Sequence, residues 1–211
     1  ALHARYVAPR TIAAAIDVDV VATSSDGRSD SCKVRLKADG ALGVPDDGRT
    51  PGLVGAVYRV PLASRNNYAR ITSSWFTGTP LATLVMPRID VPNTPYELGF
   101  PGYPDLTSWF AIRFKARLLI PEDGYYTFQT QSDDGSITYI DGKAIVRNDY
   151  VHAISTVTSD SIFLTAGLHD FQLDYFQGPP IYIAMSLFWL KPGDSNFTLI
   201  PSTQFFRPVT L

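Results

Sequence analysis

The chain has 211 residues, 45% of them hydrophobic, enough to bury the core of one large all-β domain, or of one domain and a fragment. A formal net charge of -2 with no long basic run lacks the electrostatic footprint of a nucleic-acid binder. The longest apolar run, residues 181–190, is about half of the ~20 residues a membrane helix needs, so no membrane insertion is expected. Cys32 is the only cysteine, which excludes an internal disulfide and a multi-cysteine zinc site. No nucleophile motif surrounds it, and it reads as a half-buried strand residue. The chain opens on Ala1 with no secretory leader, as expected of a segment cut from a longer protein.

Taken in order, the first forty residues form a unit of their own. Tyr6 to Pro9 precedes an alternating run from Ile16 to Thr23, a Ser24-Ser25-Asp26-Gly27 turn and a second run from Cys32 to Leu36. Helical spacing is confined to a short stretch near Thr11, whose branched residues argue against a helix. Residues 41–51, with Gly43, Pro45 and Asp46-Asp47-Gly48, read as a linker, and residues 52–211 as the main domain. Residues 77–108 carry Pro80, Pro87, Pro92, Pro95, Pro101 and Pro104 and are expected to be long loops over the sheets.

Beyond them the period is two. Phe110, Ile112, Phe114, Ala116, Leu118 and Ile120 share one face of a strand, and Arg113, Lys115 and Arg117 share the other. Tyr126 and Phe128 alternate with Thr127 and Gln129; Phe171, Leu173 and Tyr175 alternate with Gln172 and Asp174. Asp-Gly and related pairs separate these runs at Asp123-Gly124, Asp134-Gly135, Asp141-Gly142 and Ala166-Gly167. Many short strands with such turns predict an all-β fold, an antiparallel β-sandwich with long proline-rich loops.

Several blocks then fall in a telling order. They are Gly52-Leu53-Val54-Gly55-Ala56-Val57-Tyr58, Phe110-Ala111-Ile112-Arg113-Phe114, Ile120-Pro121-Glu122-Asp123-Gly124-Tyr125-Tyr126-Thr127-Phe128, Ser132-Asp133-Asp134-Gly135-Ser136 with Tyr139-Ile140-Asp141-Gly142-Lys143, Leu164-Thr165-Ala166-Gly167-Leu168-His169, and Tyr175-Phe176-Gln177-Gly178. From Gly52 onward the chain resembles the PA-fourteen family, named after a domain of the anthrax protective antigen and found in adhesins and flocculins. Residues 1–37 loosely resemble the C-terminal half of a bacterial immunoglobulin-like repeat of the kind that builds surface stalks. Such a half-domain would expose a strand edge, which invites pairing between chains.

The resemblance places the chemistry at Asp133 and Asp134. Neighbours in a regular strand point to opposite faces, so two adjacent carboxylates meet one cation only if the backbone leaves strand geometry. In many family members a cis peptide joins the two aspartates, and both bind Ca²⁺. Calcium takes 6–8 oxygen ligands, so the rest must come from elsewhere. The family's partner loop corresponds to residues 177–181, which assigns Gln177, where fungal adhesins often have asparagine, and the carbonyls of Pro179 and Ile181. In sugar-binding members the calcium takes two neighbouring sugar hydroxyls. Asn148, Asp149, Tyr150 and His152 read as the polar rim that sets which sugar fits.

Each residue also has a plainer reading. Asp133-Asp134 could be an ordinary turn before glycine, Gln177 a loop-capping amide, and His152 an exposed loop histidine. Asp141 and Asp123 read as turn formers acting through their own backbone. Trp189 continues an apolar run and reads as core, whereas Trp75 and Trp109 flank irregular segments. Asn196-Phe197-Thr198 fits a glycosylation sequon, relevant only in a eukaryotic secretory pathway. Catalysis is not expected: a retaining glycosidase needs carboxylates facing each other at ~5 Å, and no nucleophile triad, zinc-protease motif or phosphate loop is present. The reading is a calcium-dependent carbohydrate-binding module of a secreted or cell-surface, bacterial adhesin, with cell-surface glycans or polysaccharide as partners. The alternatives are a structural or protein-interaction module of a surface fibre and an accessory module of a secreted hydrolase.

Overall fold

The computed structural model describes residues 16–23 and 29–36 as backbone and residues 50–208 in full. The chain divides into two compact units, residues 1–47 and 48–211. In the first, β1 (Ile16–Thr23) and β2 (Ser29–Leu36) form an antiparallel pair, with Val20 opposite Cys32. The expected turn at Ser24 to Gly27, the stretch near Thr11, Tyr6 to Pro9 and most of the linker lie outside the described residues.

The second unit contains β3 (Leu53–Arg59), β4 (Ala82–Met86), β5 (Asp90–Pro95), β6 (Phe110–Ile120), β7 (Gly124–Asp133), β8 (Ser136–Ile140), β9 (Lys143–Asn148), β10 (Ser155–Thr158), β11 (Ile162–Leu164), β12 (Gly167–Gln177), β13 (Tyr182–Leu190), β14 (Thr198–Leu199) and β15 (Phe205–Phe206). They build two antiparallel sheets. The larger runs β4-β3-β6-β12-β8-β9, with β15 also on β6. The smaller runs β10-β7-β13-β14, with β11 on β7 and β5 on β13. No helix among the described residues is long and apolar enough to cross a membrane.

The alternation in the sequence is the alternation of burial. Phe110, Ile112, Phe114, Ala116, Leu118 and Ile120 of β6 enter the core between the sheets, where they meet Tyr126 and Phe128 of β7, Phe171, Leu173 and Tyr175 of β12, and Met185, Leu187 and Trp189 of β13. Trp189 is a core residue, as expected. The turn between β8 and β9 places Asp141 at φ 49 and Gly142 at φ 75, the pair of positive values that a tight type I′ hairpin requires.

The proline-rich stretch is more regular than expected. It contains β4, which pairs with β3, and β5, which pairs with β13. Pro92 and Pro95 are tolerated in β5 because it lies at the edge of its sheet, where a missing N–H breaks no interior ladder. A second, smaller core sits on the outer face of the large sheet, where Val60, Ala69, Trp75 and Phe76 fold back over Ala111 and Phe176. Trp75 therefore packs edge-on against Phe176, with ring centroids 5.4 Å apart, and its Nε1–H donates to Ser64. Trp109 is partly buried against the same cluster.

Candidate functional site

The loop ends of three strand pairs converge at Asp133 and Asp134. β7 runs through Asp133, a cis peptide bond joins the two aspartates, and Gly135 leads into β8. Gly135 is required by space: a Cβ there would lie 2.2 Å from Cε1 of Phe176 and 3.1 Å from the carbonyl of Tyr150. The chain after β9 and the end of β12 therefore close directly over the turn that follows the pair.

Asp134 is the knot. Its Oδ1 accepts the backbone N–H of His152 at 2.9 Å, and its Oδ2 accepts the backbone N–H of Gly178 at 2.7 Å. One carboxylate thus ties the loop after β9 to the loop after β12, and that second loop lies within hydrogen-bonding reach of the double aspartate. The carbonyl of Asp133 lies 2.6 Å from the hydroxyl of Tyr175, which is also 2.8 Å from Oε1 of Gln177. The single phenolic proton is shared between two acceptors. Sequence reasoning treated Tyr175 only as a core aromatic; the signal for more was that a buried tyrosine hydroxyl needs a partner.

The two side chains are 5% and 3% exposed, and neither forms an ion pair among the described residues. Burial, then the neighbouring Asp134 carboxylate, pushes the Asp133 carboxyl up to about 6, against His152 and the Ile154 N–H. Burial also raises Asp134, opposed by the two N–H groups that hold it. Among the described residues these two buried acids have no ion-pair partner, a combination that folded proteins ordinarily resolve by pairing or by a metal.

The other sequence-predicted residues differ in what they can offer. Gln177 is fully buried; its Oε1 faces Tyr175 and its Nε2 donates to the Pro179 carbonyl at 3.1 Å. The Pro179 carbonyl also accepts the Ile181 N–H at 3.0 Å, so both its lone pairs are engaged. The Ile181 carbonyl accepts one N–H, from Tyr96 at 3.3 Å. Asn148 does not belong to a polar rim. It ends β9, faces inward with no exposure, and donates to the Ser132 hydroxyl and the Ser155 carbonyl, because the pleat directs alternate residues of β9 into the sandwich. Asp149 is only partly exposed and accepts the Ile71 N–H at 2.8 Å, tying its loop to residues 70–71. His152 turns its ring against Tyr150, centroids 4.4 Å apart, with both ring nitrogens on backbone carbonyls, those of Ala153 and Asn148. The exposed rim on these loops is instead apolar and aromatic: Tyr150, Ile154, Ile181 and Tyr182.

The PA14 domain family model matches residues 96–202, half of the chain and all of this site. The chain belongs to the PA14 domain family. In this PA14 domain the sheet extends upstream of the matched segment, because β3 from Leu53 pairs with β6. Among solved structures, the PA14 domain of the MpAFP antifreeze protein is 17% identical with a TM-score of 0.63, covering 81% of this chain and 98% of that one. The PA14 sugar-binding domain from an RTX adhesin is 18% identical with a TM-score of 0.61, covering 75% and 99%. An anti-sigma factor domain-containing protein is 20% identical with a TM-score of 0.58, covering 74% of this chain and 48% of its own, so the chain spans about half of that protein's length. At these identities the likeness is one of fold. A search of the curated proteins finds no match.

A calcium ion is the group the family implies here, and the donor set suits it in kind. Every donor around the double aspartate is a hard oxygen, and two unpaired acids supply the charge. Each Asp134 oxygen keeps a lone pair after taking its N–H. No third acid, histidine or cysteine joins the pair among the described residues, so further ligands would be amide, carbonyl or hydroxyl oxygens and water.

Proposed function

We propose that this PA14 domain is a calcium-assisted carbohydrate-binding module of a secreted or cell-surface adhesin. The observation that carries the reading is the pair of buried carboxylates, Asp133 and Asp134, without an ion-pair partner among the described residues and closed over by two loops. The RTX adhesin domain, described as sugar-binding, supports it by similarity of fold.

Asp133 and Asp134 would hold the metal, helped by Gln177 Oε1 and the Ile181 carbonyl, each of which retains a lone pair; Pro179 is left out of the set. When bound, calcium supplies coordination positions for two adjacent sugar hydroxyls in place of water. The residues of this chain do the rest. The Asp carboxylates accept hydrogen bonds from the same hydroxyls. Tyr150 and Tyr182 are 43% and 42% exposed; the Tyr150 ring packs on His152 and under the Arg70 guanidinium, leaving its exposed edge for a sugar, and Tyr182, directly after the 178–181 loop, offers a second aromatic contact. His152 and Asp149 act one step back, fixing the loop that carries Tyr150.

A specific observation favours a second reading. Asp134 already satisfies two loop N–H groups, which is sufficient reason for its burial in a structural or protein-interaction module of a surface fibre. A glycan array run in calcium and in chelator, with wild type and Asp133→Asn, separates the two. The adhesin reading expects a defined set of glycans bound in calcium, lost in chelator and lost in the variant. Absence of any bound glycan would leave the structural module.

A further inference from the structure

Among the described residues, the outer face of the large sheet is covered at one end by the Trp75–Phe76 cluster and uncovered at the other. The open part is a groove of about 660 Å³ lined by Arg113, Lys115 and Arg117 of β6, Tyr139 of β8, and Asp170 and Gln172 of β12. Its volume lies within the roughly 300–1,000 Å³ of small-molecule sites. The three cations share a face because they occupy alternate positions of β6.

They are not equally occupied. Arg113 is spent: it makes a two-pronged bond to the buried Asp174 at 2.8 and 2.7 Å, and its guanidinium lies 4.1 Å from the Phe76 ring centroid. Arg117 is held loosely. Its Nε is buried with no hydrogen-bond partner among the described residues, 3.5 Å from Asp170, and it also reaches the Leu168 carbonyl at 3.4 Å. Lys115 is exposed and forms no ion pair among the described residues. Register sets Lys115 beside Gln172, and Gln172 beside Tyr139, so a cation, an amide and an aromatic ring form one row across three neighbouring strands.

We propose that this groove is a second binding site, separate from the double aspartate, for an acidic saccharide bearing carboxylates. Lys115 and the exposed part of the Arg117 side chain take the carboxylate, while the buried Nε stays beside Asp170. Tyr139 underlies a sugar ring, and Gln172 and Asp170 bond its hydroxyls. The Asp170 carboxylate distinguishes a uronate, with one charge per ring and hydroxyls to donate, from a polyphosphate, which that carboxylate repels.

The test is calorimetric titration of the full chain with tetragalacturonate and with neutral cellotetraose, both in chelator so that no calcium site takes part. Binding of the acidic oligomer alone is expected, weakening with added salt. Lys115→Gln/Arg117→Gln should bind roughly tenfold more weakly or worse, given the strength of bonds to charged groups. Lys115→Glu, a change at an exposed and unpaired position, should weaken binding in the same direction and guards against a folding defect in the double variant. No binding of tetragalacturonate, equal binding of cellotetraose, unchanged affinity in both variants, or equally tight binding of a single-stranded DNA oligomer would each overturn the proposal.

Discussion

At the scale of single residues, the functional end of the domain is built by close approach. Gly135 exists because Phe176 and the Tyr150 carbonyl occupy the space of a side chain. Phe176 is fully buried and wedged against Trp75, so it has nowhere to yield. Gly135→Ala should therefore destabilise the domain by about 1–3 kcal/mol, the usual cost of overpacking, read from a denaturant midpoint. Gly142→Ala is a poor control despite its open surroundings, since its φ of 75 is itself unfavourable for alanine. Asp141 shows a different economy of design. Read from sequence as a turn former serving its own backbone, it instead reaches across to β12, accepting the Asp170 N–H at 2.9 Å and facing the His169 ring at 2.6 Å. The other nitrogen of that ring faces the Thr165 carbonyl at 2.9 Å, so only the imidazolium donates to both. Burial lowers the His169 pKa, but the Asp141 and Thr165 bonds outweigh it and the net shift is upward. Because the folded value is raised, the stabilisation is complete below the ordinary value near 6.5 and is lost as pH rises through the folded one. The half-exposed Asp141 keeps the effect to about 1 kcal/mol or less. Wild type should lose stability between pH 6 and pH 8 by that amount, and Asp141→Asn should flatten this part of the profile.

At the scale of elements, Asp134 joins loops that the strands alone would leave independent. An asparagine there keeps one acceptor and presents an amide to the second donor, leaving either the His152 or the Gly178 N–H unpaired. Asp134→Asn should accelerate amide hydrogen exchange at His152 and Gly178 while the core strands β6 and β12 keep their protection. Unchanged exchange at both amides would show that the knot does not hold the loops. The strands were legible because each buries one face, and a period of two survives in the order of residues: β6, β7 and β12 are written out in Phe110 to Ile120, Tyr126 to Phe128 and Phe171 to Tyr175. β4 and β5 were not legible. They are edge strands, β5 interrupted by proline and β4 short and flanked by Pro80 and Pro87, and edge position is a property of the sheet rather than of the segment. Asn148 was misplaced for a related reason. A polar residue beside an Asp and a Tyr reads as loop, yet it closes β9 and is buried by the cross-sheet bonds of Ser132 and Ser155.

At the scale of the whole molecule, two sheets hold an acid pair at one end and leave a cationic groove on one outer face. The resemblance in the sequence carried the location of the pair and its partner loop. What it could not carry is the set of hydrogen bonds that spend the Pro179 carbonyl and hold the His152 ring nitrogens, because these depend on the loop conformations. Burial of Asp133 and Asp134 fixes how the metal-free domain responds to acid. With the Asp133 carboxyl raised to about 6, the folded chain holds more protons than the unfolded one between the ordinary carboxylate range and that value. The metal-free domain should lose stability as pH rises through this window, and calcium should compensate for it above about pH 6, where Asp133 is ionised. The decisive measurement is the thermal melt in calcium and in chelator near neutral pH. A ligand at a hundredfold excess over its Kd adds about 2.7 kcal/mol, which for a domain of this size raises the Tm by roughly 5–10 °C. That rise is predicted in calcium, shrinking below about pH 6 and absent in Asp133→Asn; coincident melts with and without calcium at neutral pH would contradict a calcium site at Asp133 and Asp134.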